Sequence, residues 1–118
     1  MNPMSEIKRP IPTPDDVIAK LTIRRLPSGK TWLQVVEEAA SAEGALLSDV
    51  CSTGTGGPGR GPTATRARHR AWYMLRADET TAYSLNEIAA PWGANHKTVM
   101  AGIAKAERRV LDAAARAA

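Results

Sequence analysis

The sequence predicts an all-α protein, a small helical bundle that contains a helix-turn-helix and carries an irregular N-terminal arm. Three observations lead there. Apolar residues recur at i, i+3, i+4 and i+7 in several windows, and no segment alternates in the manner of a half-buried strand. Hydrophobic residues make up 43% of the 118, yet aromatics are only 4% with no Phe, so Ala, Leu, Ile, Val and three Trp must pack the interior. That composition disfavours an aromatic-rich β-sandwich. Gly and Pro cluster between the periodic segments and cut the chain into helix-length pieces. The length suits one domain.

Residues 1–30 are expected to form an arm or extension. Pro3, Pro10, Pro12 and Pro14 favour extended chain over helix, and the stretch from Asp15 to Leu26, short and helical or extended, ends at the turn signal Pro27-Ser28-Gly29. The folded domain is expected over residues 31–112, with 113–118 as a tail. Thr31 caps a helix in which Trp32, Val35, Val36 and Ala39 share one face, with Glu37, Glu38 and Glu43 on the wet side. Gly44 breaks it, and residues 45–50 give a short apolar turn. Residues 52–62 hold five Gly and two Pro and read as a flexible loop.

A second strong helix starts at Thr63 or Thr65, with Ala67, Ala71, Met74 and Leu75 on one face; residues 78–81 end or fray it. Ser84 and Glu87 have the spacing of a capping box for a short helix that Pro91 stops. Trp92-Gly93-Ala94 makes a turn. Asn95 caps a last helix in which Val99, Ile103, Ala106 and Val110 repeat at intervals of 4, 3 and 4. Trp32, Val35, Leu46, Ala71, Leu75, Leu85, Ile88, Val99 and Ile103 are the expected shared core.

Several function classes drop out. The single Cys51 excludes an intramolecular disulfide framework and a cysteine-based zinc site, which favours a reducing cytoplasm. No apolar run suits a signal peptide or a membrane span, so a soluble protein is expected. Gly29-Lys30-Thr31 resembles the tail of a phosphate-binding loop, but Arg24 stands where that motif needs Gly; in the Gly-rich loop, Arg60 and Gly61 stand where it needs Lys and Ser or Thr. Cys51, His69 and His96 lie on separate elements with no paired acid motif. The expectation is therefore no enzyme, no cofactor and no metal.

Charge points elsewhere. Residues 1–59 carry 6 basic and 7 acidic side chains, whereas residues 60–118 carry 10 and 5, a net of +5. Arg60, Arg66, Arg68, Arg70 and Arg76 follow one another with no carboxylate until Asp78, which is the footprint of a polyanion partner or simply a solvated helix face. A capped short helix, a Gly-containing turn and a longer helix make a helix-turn-helix, whose second helix fits a major groove ~12 Å wide. Its first residues here are Asn95, His96, Lys97 and Thr98, all polar and outside the buried stripe. Asn95 also serves as a cap. Lys97 opposes the helix dipole, a cost that a phosphate or a guanine edge would offset.

The segment from Arg66 to Glu107 resembles the C-terminal DNA-binding domain of the bacterial replication initiator DnaA. The residues that carry the resemblance are Arg66-x-Arg68 opening a helix, Ser84-Leu85-x-Glu87-Ile88, an aromatic before Gly93, and Asn95-His96-x-Thr98-Val99, closing with Lys105 and Glu107. Residues 35–48 resemble the family's preceding helix and its Leu-Leu-Ser turn. The resemblance implies a fold related to the Trp repressor, with Arg68 in the minor groove and Asn95, His96, Lys97 and Thr98 facing the major groove. Lys97 replaces the usual Thr, the loop at 52–62 is longer and richer in Gly, and the family's ATPase module has no counterpart in these residues.

The expected function is sequence-preferring binding of double-stranded DNA by a stand-alone domain of initiator type. Such a protein, bacterial or phage, would act near the nucleoid as a regulator of transcription or as a competitor at sites of replication initiation. Its expected contacts are Arg66, Arg68, Arg70, Asn95, His96, Lys97 and Thr98. The alternative is an adaptor that keeps the fold without binding DNA and docks a protein partner through residues 1–30 or the Gly-rich loop.

Overall fold

The computed structural model describes residues 12–52, 61–77 and 83–117. It is an all-α bundle: α1 (Pro14–Ile23), α2 (Trp32–Glu43), α3 (Leu47–Val50), α4 (Pro62–Arg76), α5 (Leu85–Ala89), a 3-10 turn (Ala90–Trp92) and α6 (His96–Ala117). Among the described residues there is no strand, only an isolated bridge between Arg25 and Thr31. No described helix is long and apolar enough to cross a membrane. Residues 1–11, most of the Gly-rich loop (53–60) and the expected fraying at 78–81 lie outside the described residues.

The helix starts follow from local chemistry. Thr31 accepts from the Gln34 amide while the Gln34 side chain accepts from the Thr31 amide, and Ser84 and Glu87 repeat this reciprocal arrangement. Gly44 closes α2 in the left-handed conformation at φ 71°, which costs a residue without Cβ least. Pro62 opens α4 at a position where its missing N–H has no intrahelical partner in any case.

Two expectations need correction. The core starts earlier than Trp32, because Thr13 forms a third capping box with Asp16, Pro14 occupies the first turn, and Val17 and Leu21 of α1 are fully buried in the shared core. Residues 13–23 are thus part of the body. Leu46 is the reverse case: it sits in extended conformation at the start of α3 and is 68% exposed. Of the other expected core residues, Trp32, Val35, Ala71, Leu75, Ile88 and Val99 are buried, and Leu85 and Ile103 pack against them half-buried. At its far end α6 continues as helix to Ala117 instead of releasing a tail after 112.

The centre of the bundle is α4, packed between α2 and α6. Gly102 permits the close approach of α6, since a Cβ there would meet Cδ2 of His69 at 2.6 Å and Cε3 of Trp72 at 2.8 Å. Trp72 in turn meets Trp92 edge-on at 5.7 Å, an arrangement favoured by the ring quadrupoles. The rings therefore carry α4 to the turn ahead of α6.

Candidate nucleic-acid interface

The turn between α5 and α6 is held rigidly. Pro91 and Trp92 are buried, and the Trp92 indole Nε1 donates to the Val50 carbonyl at 3.1 Å. Gly93 adopts φ 63°, in the left-handed region that favours glycine, and a Cβ there would press on Pro12 Cγ at 3.2 Å. The Ala94 amide closes the turn on the Ala89 carbonyl at 3.2 Å. The chain thus enters α6 in a fixed direction.

At that entry Asn95 Oδ1 accepts from the Lys97 amide at 2.8 Å, and the Asn95 carbonyl accepts from the Val99 amide at 3.2 Å. Asn95 is the cap of α6, with its side-chain NH2 left over. His96, Lys97 and Thr98 are exposed in succession, and Val99 is fully buried directly after them. With 3.6 residues per turn, Lys97 lies on the face opposite Val99 and Ala106. These side chains contribute little to the core and face solvent at the positive end of the helix dipole.

The arginines of α4 are placed differently. Arg68 turns inward: Nε donates to the Val50 carbonyl at 2.9 Å, and Nη2 to the carbonyls of Asp49 at 3.1 Å and Ser52 at 2.9 Å. These carbonyls lie at and just past the C-terminus of α3, where Asp49 also accepts from the Ser52 amide and Val50 from the Trp92 indole. The resemblance implies Arg68 in a minor groove; in this fold its guanidinium is engaged in joining α3 to α4, its planar fork supplying donors to several neighbouring carbonyls at once. Beside it, burial pushes the Cys51 thiol up to about 11 against the pull of the Arg68 charge.

Arg66 and Arg70 turn to Glu43 at the end of α2. Arg70 Nη1 lies 3.1 Å from Glu43 Oε2, Arg66 Nε lies 3.9 Å from Oε1, and Arg109 Nη2 of α6 bonds both carboxylate oxygens at 2.9 and 3.1 Å. The Glu43 side chain is only 9% exposed, which corrects its expected place on the wet side. Burial raises its pKa, but the bonds and charges of Arg109 and Arg70 outweigh that and leave it below the ordinary value. His69, beside this cluster, has its pKa lowered by burial and then by the charges of Lys105, Arg68 and Arg109. The α4/α6 seam is electropositive.

Apart from Arg68, the expected contacts divide into two groups. Asn95, His96, Lys97 and Thr98 come together at the start of α6, whereas Arg66 and Arg70 gather with Arg109, thirteen residues and roughly 20 Å further along that helix. Glu43 and Arg109 were not among the expected site residues. Among the described residues no three His, Cys, Asp or Glu side chains are grouped to hold a metal. No family model, curated protein or solved structure matches the chain. The likeness to the initiator's DNA-binding domain rests on the quoted residues alone.

Proposed function

We propose that this chain is a nonenzymatic helix-turn-helix domain that binds double-stranded DNA with a sequence preference, as a regulator or as a competitor at initiator sites. The observation that carries the reading is the exposure of His96, Lys97 and Thr98 in succession at the start of a long helix whose approach is fixed by a buried turn. A rigid scaffold with polar groups displayed at a helix start is what base recognition in a major groove requires. The net charge of +5 over residues 60–118 and the resemblance add support.

In this reading His96 and Lys97 contact base edges or phosphates, Thr98 and the Asn95 amide hydrogen-bond beside them, and Arg66 and Arg70 raise affinity for any sequence. Arg66 and Arg70 keep about half their surface in solvent while paired, so they serve the backbone and not the bases. The test is selection of bound sequences from random duplexes, followed by gel shifts at several salt concentrations. Enrichment of a motif and a shift that weakens with salt are expected. Absence of any shift at low salt would replace this reading with the adaptor.

A further inference from the structure

We propose a second binding site, away from the start of α6 though it shares Arg70 with the proposed DNA-backbone contacts: the groove between the C-terminal halves of α4 and α6 takes an acidic peptide segment of a partner protein. The groove holds about 480 Å³ and is lined by Arg70, Arg109 and Arg116 together with Tyr73 and Val110. Three arginines line it, with Asp112 as the single carboxylate of the lining.

Glu43 gives the site its order. By binding Arg70 and Arg109 from behind, it fixes two long side chains that would otherwise lose rotamer freedom on capturing a ligand. Each guanidinium has five N–H donors, and Glu43 engages only Nη1 of Arg70 and Nη2 of Arg109, so most of the fork remains for an incoming carboxylate. Arg116 takes no part in the Glu43 network and adds a third charge at the open end.

The shape favours a peptide over a duplex. A groove of about 480 Å³ admits a few side chains of an extended segment and not the breadth of a duplex. Val110 is 42% exposed and Leu111, beside it, 62%, so the surface offers apolar contact as well as charge. An amphipathic acidic segment would match both. The site lies roughly 20 Å along α6 from Lys97, which leaves the first turn of that helix unobstructed.

The experiment is fluorescence anisotropy of the full chain with a labelled ten-residue peptide of alternating Glu and Leu, and with the same peptide carrying Gln for Glu. Saturable binding of the Glu peptide and none of the Gln peptide is expected. Arg116→Gln should weaken binding about threefold and Arg109→Gln combined with Arg116→Gln about tenfold, as for partly exposed charge pairs. Because Arg109→Gln removes one partner of Glu43, Val110→Glu provides an independent variant that leaves the network intact and should abolish binding through repulsion. Gel shifts of the Arg116→Gln and Val110→Glu chains with duplex DNA should match the parent. Equal binding of the two peptides, or peptide affinity unmoved by Val110→Glu, would overturn the proposal; a loss confined to DNA affinity would assign the groove to nucleic acid instead.

Discussion

Replacing Gly102 by Ala perturbs the packing that holds the exposed start of α6 in place. The new Cβ would lie 2.6 Å from Cδ2 of His69, 2.8 Å from Cε3 of Trp72 and 3.0 Å from its Cζ3. Trp72 has no room to retreat, being 2% exposed and set edge-on against Trp92. His69 is tilted against the same ring at 5.7 Å, so moving one disturbs the other. Alanine gains about 1 kcal/mol of helix propensity over glycine, whereas overpacking costs ~1 to 3 kcal/mol. With two rings obstructed the upper end applies, leaving a net loss of ~2 kcal/mol, or ~10 °C in Tm for a domain of this size. Thermal unfolding followed by circular dichroism measures it, with Ala101→Gly as the control. Ala101 is exposed one residue earlier and should lose only the ~1 kcal/mol of propensity. A Gly102→Ala protein that melts above the parent would refute the close packing of α4 on α6.

Three further outcomes are expected. Arg68→Ala removes the charged donor shared by the carbonyls of Asp49, Val50 and Ser52, of which Asp49 keeps the Ser52 amide and Val50 keeps the Trp92 indole, and should cost ~1.5 to 3 kcal/mol, with Arg68→Lys failing to restore it because an ammonium lacks the fork; unchanged stability with lost DNA affinity would return Arg68 to the DNA surface. His69 has a lowered pKa in the folded state, so below its ordinary 6.5 the unfolded chain binds a proton that the folded chain resists, and stability should fall on acidification below that point. Denaturation midpoints measured from about pH 7 to 5 check this, and His69→Gln should flatten the slope; the same slope in that variant would contradict it. Cys51 is fully buried with its pKa raised to about 11, so an aromatic disulfide reagent should label it only as denaturant opens the fold, and immediate labelling in native buffer would contradict its burial.

What the sequence revealed and what it hid have physical reasons. The Trp32 and Ser84 helix starts were legible because capping boxes are local, with donor and acceptor three residues apart. The same signal at Thr13 and Asp16 was masked by the neighbouring prolines: Pro-x-Pro-x-Pro spacing favours extended chain, yet Pro14 falls in the first turn of α1, where proline is tolerated. Leu46 looked like core because it is apolar between two helices, but the chain crosses from α2 to α3 there and turns it outward. The exposed run from His96 to Thr98 followed from periodicity, since only Val99 continues the buried stripe. Arg68 had no local sign of its inward turn: its partners lie 16 to 19 residues upstream and become partners only when α3 packs on α4. Glu43 was hidden in the same way, its arginines being contributed by two other helices.

The central claim is that the first turn of α6 reads base sequence. Its most direct test compares the parent with His96→Ala and Lys97→Ala, each titrated against a selected duplex and a scrambled duplex at two salt concentrations, after confirming equal Tm. The preferred duplex is expected to lose ~1 to 3 kcal/mol of discrimination in at least one variant. If the contact made by Lys97 is to a base edge, its loss leaves the salt dependence as it was, whereas a phosphate contact lowers affinity for both duplexes and reduces the salt slope by about one unit. Either result keeps Lys97 on the DNA. Both variants binding both duplexes as the parent does would contradict the claim and remove the start of α6 from the interface.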